Sequence, residues 1–158
     1  MRRHLLIGIA AGATGTAALN VVTYLDMALR ARPSSEVPAQ VAQKMAEKGG
    51  IDLAKGIDPG EPVDNRKEGI GALLGYLTGL GVGGTYGLFR GAGPRPPTLL
   101  AGIGLGMAAM AASDVPATAL GLTDPSSWPA SSWAGDIVPH LAYGLVTAAA
   151  FDSLLDEH

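Results

Sequence analysis

Four long apolar runs, at about 5–29, 69–89, 98–122 and 136–155, alternate with polar stretches along this chain. Each has the roughly twenty residues that a helix needs to cross the hydrocarbon core of a bilayer. The second run carries glycine at every fourth position: Gly71, Gly75, Gly79, Gly83 and Gly87. A helical residue turns by about 100°, so these five form one slowly drifting stripe along a helix face. In water each glycine costs ~1 kcal/mol of helix propensity relative to alanine. In lipid the backbone must bond to itself, and a glycine groove lets a neighbouring helix come close. The pattern predicts one all-α domain over 1–158, an integral membrane four-helix bundle whose second span is a packing face.

The polar segment over 30–68 has its own organisation. Pro33 ends the first span, and Ser34 and Ser35 offer caps for a short helix over 37–48 that stops at Gly49 and Gly50. Val37, Val41 and Met45 recur at i+4, which gives it an apolar edge suited to the interface or to capping the bundle. Residues 51–67 read as an irregular loop, 90–97 as a tight turn, and 123–133 as an interfacial loop with Trp128 and Trp133 as anchors. Met1 to Ile9 also has the form of a signal-peptide start, but apolar character runs on to Leu29, which predicts an uncleaved span. Arg90 and Arg95 in the second loop, against a third loop free of Lys and Arg, place both termini in the cytoplasm. The first loop opposes this with Arg30, Arg32, Lys44, Lys48, Lys55, Arg66 and Lys67.

Composition adds exclusions. Apolar residues make up 47% and charged residues 16%, and the charges gather between the spans or at the ends. That layout explains a mean hydropathy of only +0.26. A net charge of −3 leaves no basic patch for nucleic acid. Cysteine is absent, so disulfides and thiolate chemistry are excluded. Gly12-Ala-Thr-Gly15 lacks the order of a dinucleotide turn, and Arg90-Gly-Ala-Gly93 lacks the Lys-Ser/Thr of a phosphate loop. No metal-ligand set extends beyond Asp136 and His140, and Ser113 beside Asp114 makes no triad by itself. The expectation is a protein without cofactor or metal that is not an enzyme.

The polar residues inside the spans are more informative. The end of span one, the end of span three and the starts of spans two and four must lie on the same side of the membrane. Asn20, Tyr24, Asp26, Tyr76, Asp114, Asp136, His140 and Tyr143 all fall in that half. A carboxylate there costs ~3 kcal/mol on insertion scales, so it faces a partner or a wet cavity. Asp114, two residues before Pro116, is the candidate for a specific role. Asp26 admits an ion pair with Arg30 or a functional role, and Asp136 reads first as a carboxylate that complements the N-terminus of its helix. His140 is placed to pair with Asp136 or Asp114, and its ordinary pKa of about 6.5 suits a group that responds to mild acid. Antiparallel packing of spans one and two sets Gly8 near Gly87 and Asn20 near Gly75, closing one end and leaving a polar vestibule at the other.

Leu99-Leu-Ala-Gly102, then Gly121-Leu-Thr-Asp-Pro125, an aromatic loop and Asp136-Ile-Val-Pro-His140-Leu141 form a recognisable series. Mainly over residues 98–145, the chain resembles the YagU-like family of small bacterial inner-membrane proteins. It departs from that family in Asp114 and in the glycine ladder. The resemblance implies a multi-pass protein of the bacterial plasma membrane, both termini inside, linked to tolerance of acid.

Two function classes follow. In one, Asn20, Asp26, Asp114, Asp136, His140 and Tyr143 supply a polar intramembrane site that binds or passes a proton or small ion. In the other, the glycine faces make the chain a non-catalytic scaffold subunit. The expected partners are the lipid bilayer and a second copy or a larger membrane complex.

Overall fold

The computed structural model describes residues 1–57, 62–93 and 95–156. Among these residues are five α-helices: α1 (Arg2–Arg30), α2 (Val37–Lys48), α3 (Val63–Ala92), α4 (Thr98–Ala119) and α5 (Ala130–Asp156). No strand occurs among the described residues. Three helices, α1, α4 and α5, are long and apolar enough to cross a membrane. On composition α3 is not among them, although its glycine run looks like one of the clearest spans in the sequence. Between Gly71 and Gly87 it spends seven positions on glycine, which contributes almost no apolar surface.

The helix ends follow local chemistry. Gly50 (φ 69°) and Gly121 (φ 70°) turn the chain left-handed after α2 and α4. At each, the glycine N–H and the next N–H donate back to carbonyls of the last turn: Glu47 and Ala46 after α2, Thr118 and Ala117 after α4. The residue at the N-terminal cap of α2 is Glu36, not Ser34 or Ser35, and the Ser35 hydroxyl only accepts a 3.3 Å bond from the Val37 N–H. Two loops are shorter than the sequence suggests. α3 starts at Val63, ahead of the expected end of the first loop at residue 67, and residues 58–61 of that loop lie outside the described chain. A short 3-10 turn at Pro125–Ser127, held by Asp124 accepting from the Ser126 N–H and hydroxyl, leads directly into α5.

Small residues set the packing. α1 lies along α3 and α5, and α4 lies along α5, each pair antiparallel. At the α1–α3 seam a Cβ added to Gly12 would stand 2.6 Å from the Gly79 carbonyl oxygen and 3.1 Å from the Gly83 Cα. One added to Gly8 would strike the Gly83 carbonyl and lie 2.9 Å from the Gly87 Cα. The α4–α5 seam repeats the device: a Cβ on Gly106 would come 2.7 Å from the His140 carbonyl oxygen, and one on Gly144 would strike Gly102. The molecule is thus two glycine-closed pairs, α1–α3 and α4–α5, joined through α1 and α5. Ala11 and Ala148 are fully buried at that join, and Phe151 and Tyr86 fill one end of it. Large side chains point outward instead: Leu73 is 69% and Leu99 67% exposed. An exterior of that kind suits lipid rather than water. α3 and α4 touch less, and an apolar groove of about 670 Å³ runs between them.

The ladder does not act as one unit. Gly79, Gly83 and Gly87 meet α1, whereas Gly71 meets the backbone of Pro38 and Ala39 in α2. Gly75 is exposed, with nothing among the described residues within 4 Å of an added Cβ. The expected contact between Asn20 and Gly75 gives way to one with the next residue, Tyr76. A four-residue step advances about 400° around a helix, so the stripe drifts by ~40° each time and changes neighbour along its length.

Candidate functional site

Asp114 and the Asp136–His140 pair come from α4 and α5, and two prolines mark their level. Pro116 lies inside α4 and Pro139 inside α5. Lacking an N–H, they leave the carbonyls of Ala112 and Gly135 without their usual helical donors. Asp136 and Pro139 were expected at the helix start. Because α5 begins at Ala130, both lie farther in, and Asp136 is not an N-terminal dipole partner.

His140 Nδ1 lies 2.8 Å from the Asp136 carbonyl oxygen and 3.2 Å from its Oδ1. A carbonyl oxygen only accepts, so Nδ1 carries the hydrogen and Nε2 is the basic nitrogen. The pair is shielded, with side chains 13% exposed for His140 and 22% for Asp136. Asp136 Oδ2 is buried and has no hydrogen-bond partner among the described residues. The Asp114 carboxyl lies close enough to interact with both Asp136 and His140, and Ser113 beside it donates to the Met110 carbonyl at 2.9 Å. Two carboxyls and an imidazole from two helices therefore lie within electrostatic reach of one another. Among the described residues no three His, Cys, Asp or Glu side chains are arranged to hold a metal ion.

The other predicted polar residues go elsewhere. Asn20 Nδ2 donates to the Tyr76 hydroxyl at 3.4 Å, across the α1–α3 seam. Asp26 is taken by two arginines, with Arg30 Nε at 2.6 Å and Arg32 Nε at 2.5 Å. Arg30 also reaches Gly135, beside a cleft of about 210 Å³ between α1 and α5. Tyr143, almost wholly buried, donates its hydroxyl to the Gly79 carbonyl at 2.6 Å. Thr16 of α1 lies against the same glycine, so Gly79 is where α1, α3 and α5 meet.

A second polar cluster, at the opposite end of the bundle, escaped the sequence reading. Arg90, with only 7% of its side chain exposed, pairs with Asp152 at 2.8 Å and donates to the Tyr86 hydroxyl at 2.6 Å. Thr98 donates to the other Asp152 oxygen at 2.6 Å, so α3, α4 and α5 are tied together. The guanidinium lies over the Phe151 ring at 5.1 Å, and His4 approaches the same ring at 6.4 Å. A buried charge needs such a partner, because desolvation otherwise costs several kcal/mol. The available signals were the i+4 spacing of Tyr86 and Arg90 and the place of Asp152 on the stripe of Asp136 and His140. In the sequence Arg90 reads, with Arg95, as a second-loop charge that sets orientation.

No family model, curated protein or solved structure matches this chain.

Proposed function

We propose that this chain is a four-span protein of the bacterial plasma membrane, both termini cytoplasmic, that binds and passes protons at Asp114, Asp136 and His140 as part of tolerance to acid. One observation carries the reading: two carboxyls and an imidazole meet between apolar helices, with the buried Asp136 Oδ2 unpartnered among the described residues. Such groups are retained at membrane depth at a cost of about 3 kcal/mol each, which favours a function for them. The unpartnered Asp136 oxygen and the basic Nε2 of His140 suit a proton. Because no three such side chains among the described residues are arranged to hold a metal ion, a multivalent ion is the poorer fit. α3 serves as the fourth span because Gly79, Gly83 and Gly87 are held on α1, which covers the backbone that glycine leaves bare.

The test is proton uptake by the purified protein in detergent, followed through the carboxyl bands in the infrared as pH falls. Wild type takes up protons in mild acid, and Asp114→Asn and His140→Ala each change the titration. Unchanged titration in both folded variants overturns the reading. The scaffold alternative finds its support in the apolar groove between α3 and α4, since most of the ladder is already occupied by α1 and α2.

A further inference from the structure

α5 carries polar groups well beyond the acid–imidazole cluster. Asp136, His140, Tyr143, Thr147 and Phe151 follow at steps of four, three, four and four residues, which keeps them within one narrow face. That face points at the bundle axis. Tyr143 meets Gly79 of α3, and its carbonyl and ring lie against Gly15 of α1. Thr147 is fully buried against Gly15, and its hydroxyl has no hydrogen-bond partner among the described residues. One turn farther, the fully buried Phe151 ring closes the line. Beyond it stand Arg90 and Asp152, together with His4, whose Nδ1 is buried and unpartnered among the described residues.

We propose that this face is a proton route from the Asp114–Asp136–His140 cluster to the Arg90–Asp152 end, shut in this conformation by Phe151. The inference rests on the proton-binding reading of the cluster and adds its exit, its relay groups and its gate. A proton is accepted by a carboxylate oxygen of the cluster or by His140 Nε2. It passes as hydronium between water and the hydroxyls of Tyr143 and Thr147, each of which both donates and accepts. It leaves to water past Arg90, whose charge Asp152 already balances. Only O–H and N–H bonds form and break. The facing ionisable groups are Asp114 from α4, Asp136 and His140 from α5, and from α1 Asp26 with its two partners Arg30 and Arg32, a set of net positive charge. At the exit they are His4 from α1, Arg90 and Tyr86 from α3, and Asp152 from α5. The ring of Phe151 has no hydrogen-bonding group, so it interrupts the relay as a hydrophobic constriction does in a channel.

Reconstituted vesicles with a pH-sensitive dye inside test the route. Phe151→Tyr keeps the packed ring and adds a hydroxyl, and Phe151→Ala opens the line; each should raise proton flux roughly tenfold over wild type. Thr147→Val, of nearly the same shape, should return either variant to the wild-type rate. Because Phe151→Ala risks unfolding, Phe151→Tyr decides the matter if alanine does not fold. Wild-type flux from a folded Phe151→Tyr protein, with proton uptake at the cluster intact, overturns the route and leaves the binding reading standing. Absence of uptake in detergent removes the loading site and overturns both.

Discussion

Replacing Gly83 by alanine isolates the close approach of α1 and α3. The new Cβ would strike the Gly8 carbonyl oxygen and stand 2.6 Å from the Gly12 Cα and 2.9 Å from its nitrogen. Ordinary contacts between carbon atoms lie at about 3.5–4.0 Å, so the helices must part by roughly 1 Å. Every clashing atom is backbone, and no rotamer change relieves it. Overpacking of this kind costs about 1–3 kcal/mol. Alanine recovers ~1 kcal/mol through helix propensity, which leaves a net loss of about 0–2 kcal/mol. Gly75→Ala is the matched control, since among the described residues nothing lies within 4 Å of its added Cβ. It should be neutral or stabilising by up to ~1 kcal/mol. Reversible unfolding in mixed micelles, followed by circular dichroism as SDS is raised, gives both values. Equal stability of Gly83→Ala and Gly75→Ala would refute the claim that the seam depends on missing Cβ atoms.

Three further outcomes are expected. Tyr143→Phe removes the bond to the Gly79 carbonyl and should cost about 1 kcal/mol in the same unfolding assay; no loss would mean that this hydroxyl does not join α5 to α3. Arg90→Met leaves Asp152 without its cation and should cost roughly 3–5 kcal/mol, whereas Arg90→Met with Asp152→Leu should regain most of it; a double variant no better than the single one contradicts the ion-pair account. At the exposed end of α2, the Gln43 amide and the Lys44 ammonium hold the Glu47 carboxyl below its ordinary value. Its folded pKa is therefore the lower one, so its contribution is full above the ordinary carboxylate range and fades as pH falls through the folded value. The protection factors of the α2 amides, which correct exchange for its intrinsic pH dependence, should fall in acid in wild type and lose that dependence in Glu47→Gln.

The sequence determined the helices, because apolar length, proline, glycine and charge act locally. α2 appears at residues 37–48 as its i+4 edge and its paired glycines require. The end of the bundle shared by the polar residues also follows from chain direction, since long helices that run antiparallel in turn return to the same end. Tertiary structure decided which of these residues meet. Asp26 was taken by Arg30 and Arg32, and Asn20 went to Tyr76, while Asp114, Asp136 and His140 converged. Such choices depend on helix rotation and crossing, and a drift of ~40° per four residues is enough to exchange one neighbour for another. The same drift gave Gly71 to α2, left Gly75 open and gave Gly79 to α1. The Arg90–Asp152 tie was hidden for a related reason: its partners lie 62 residues apart, and only the folding of α3 against α5 brings them together.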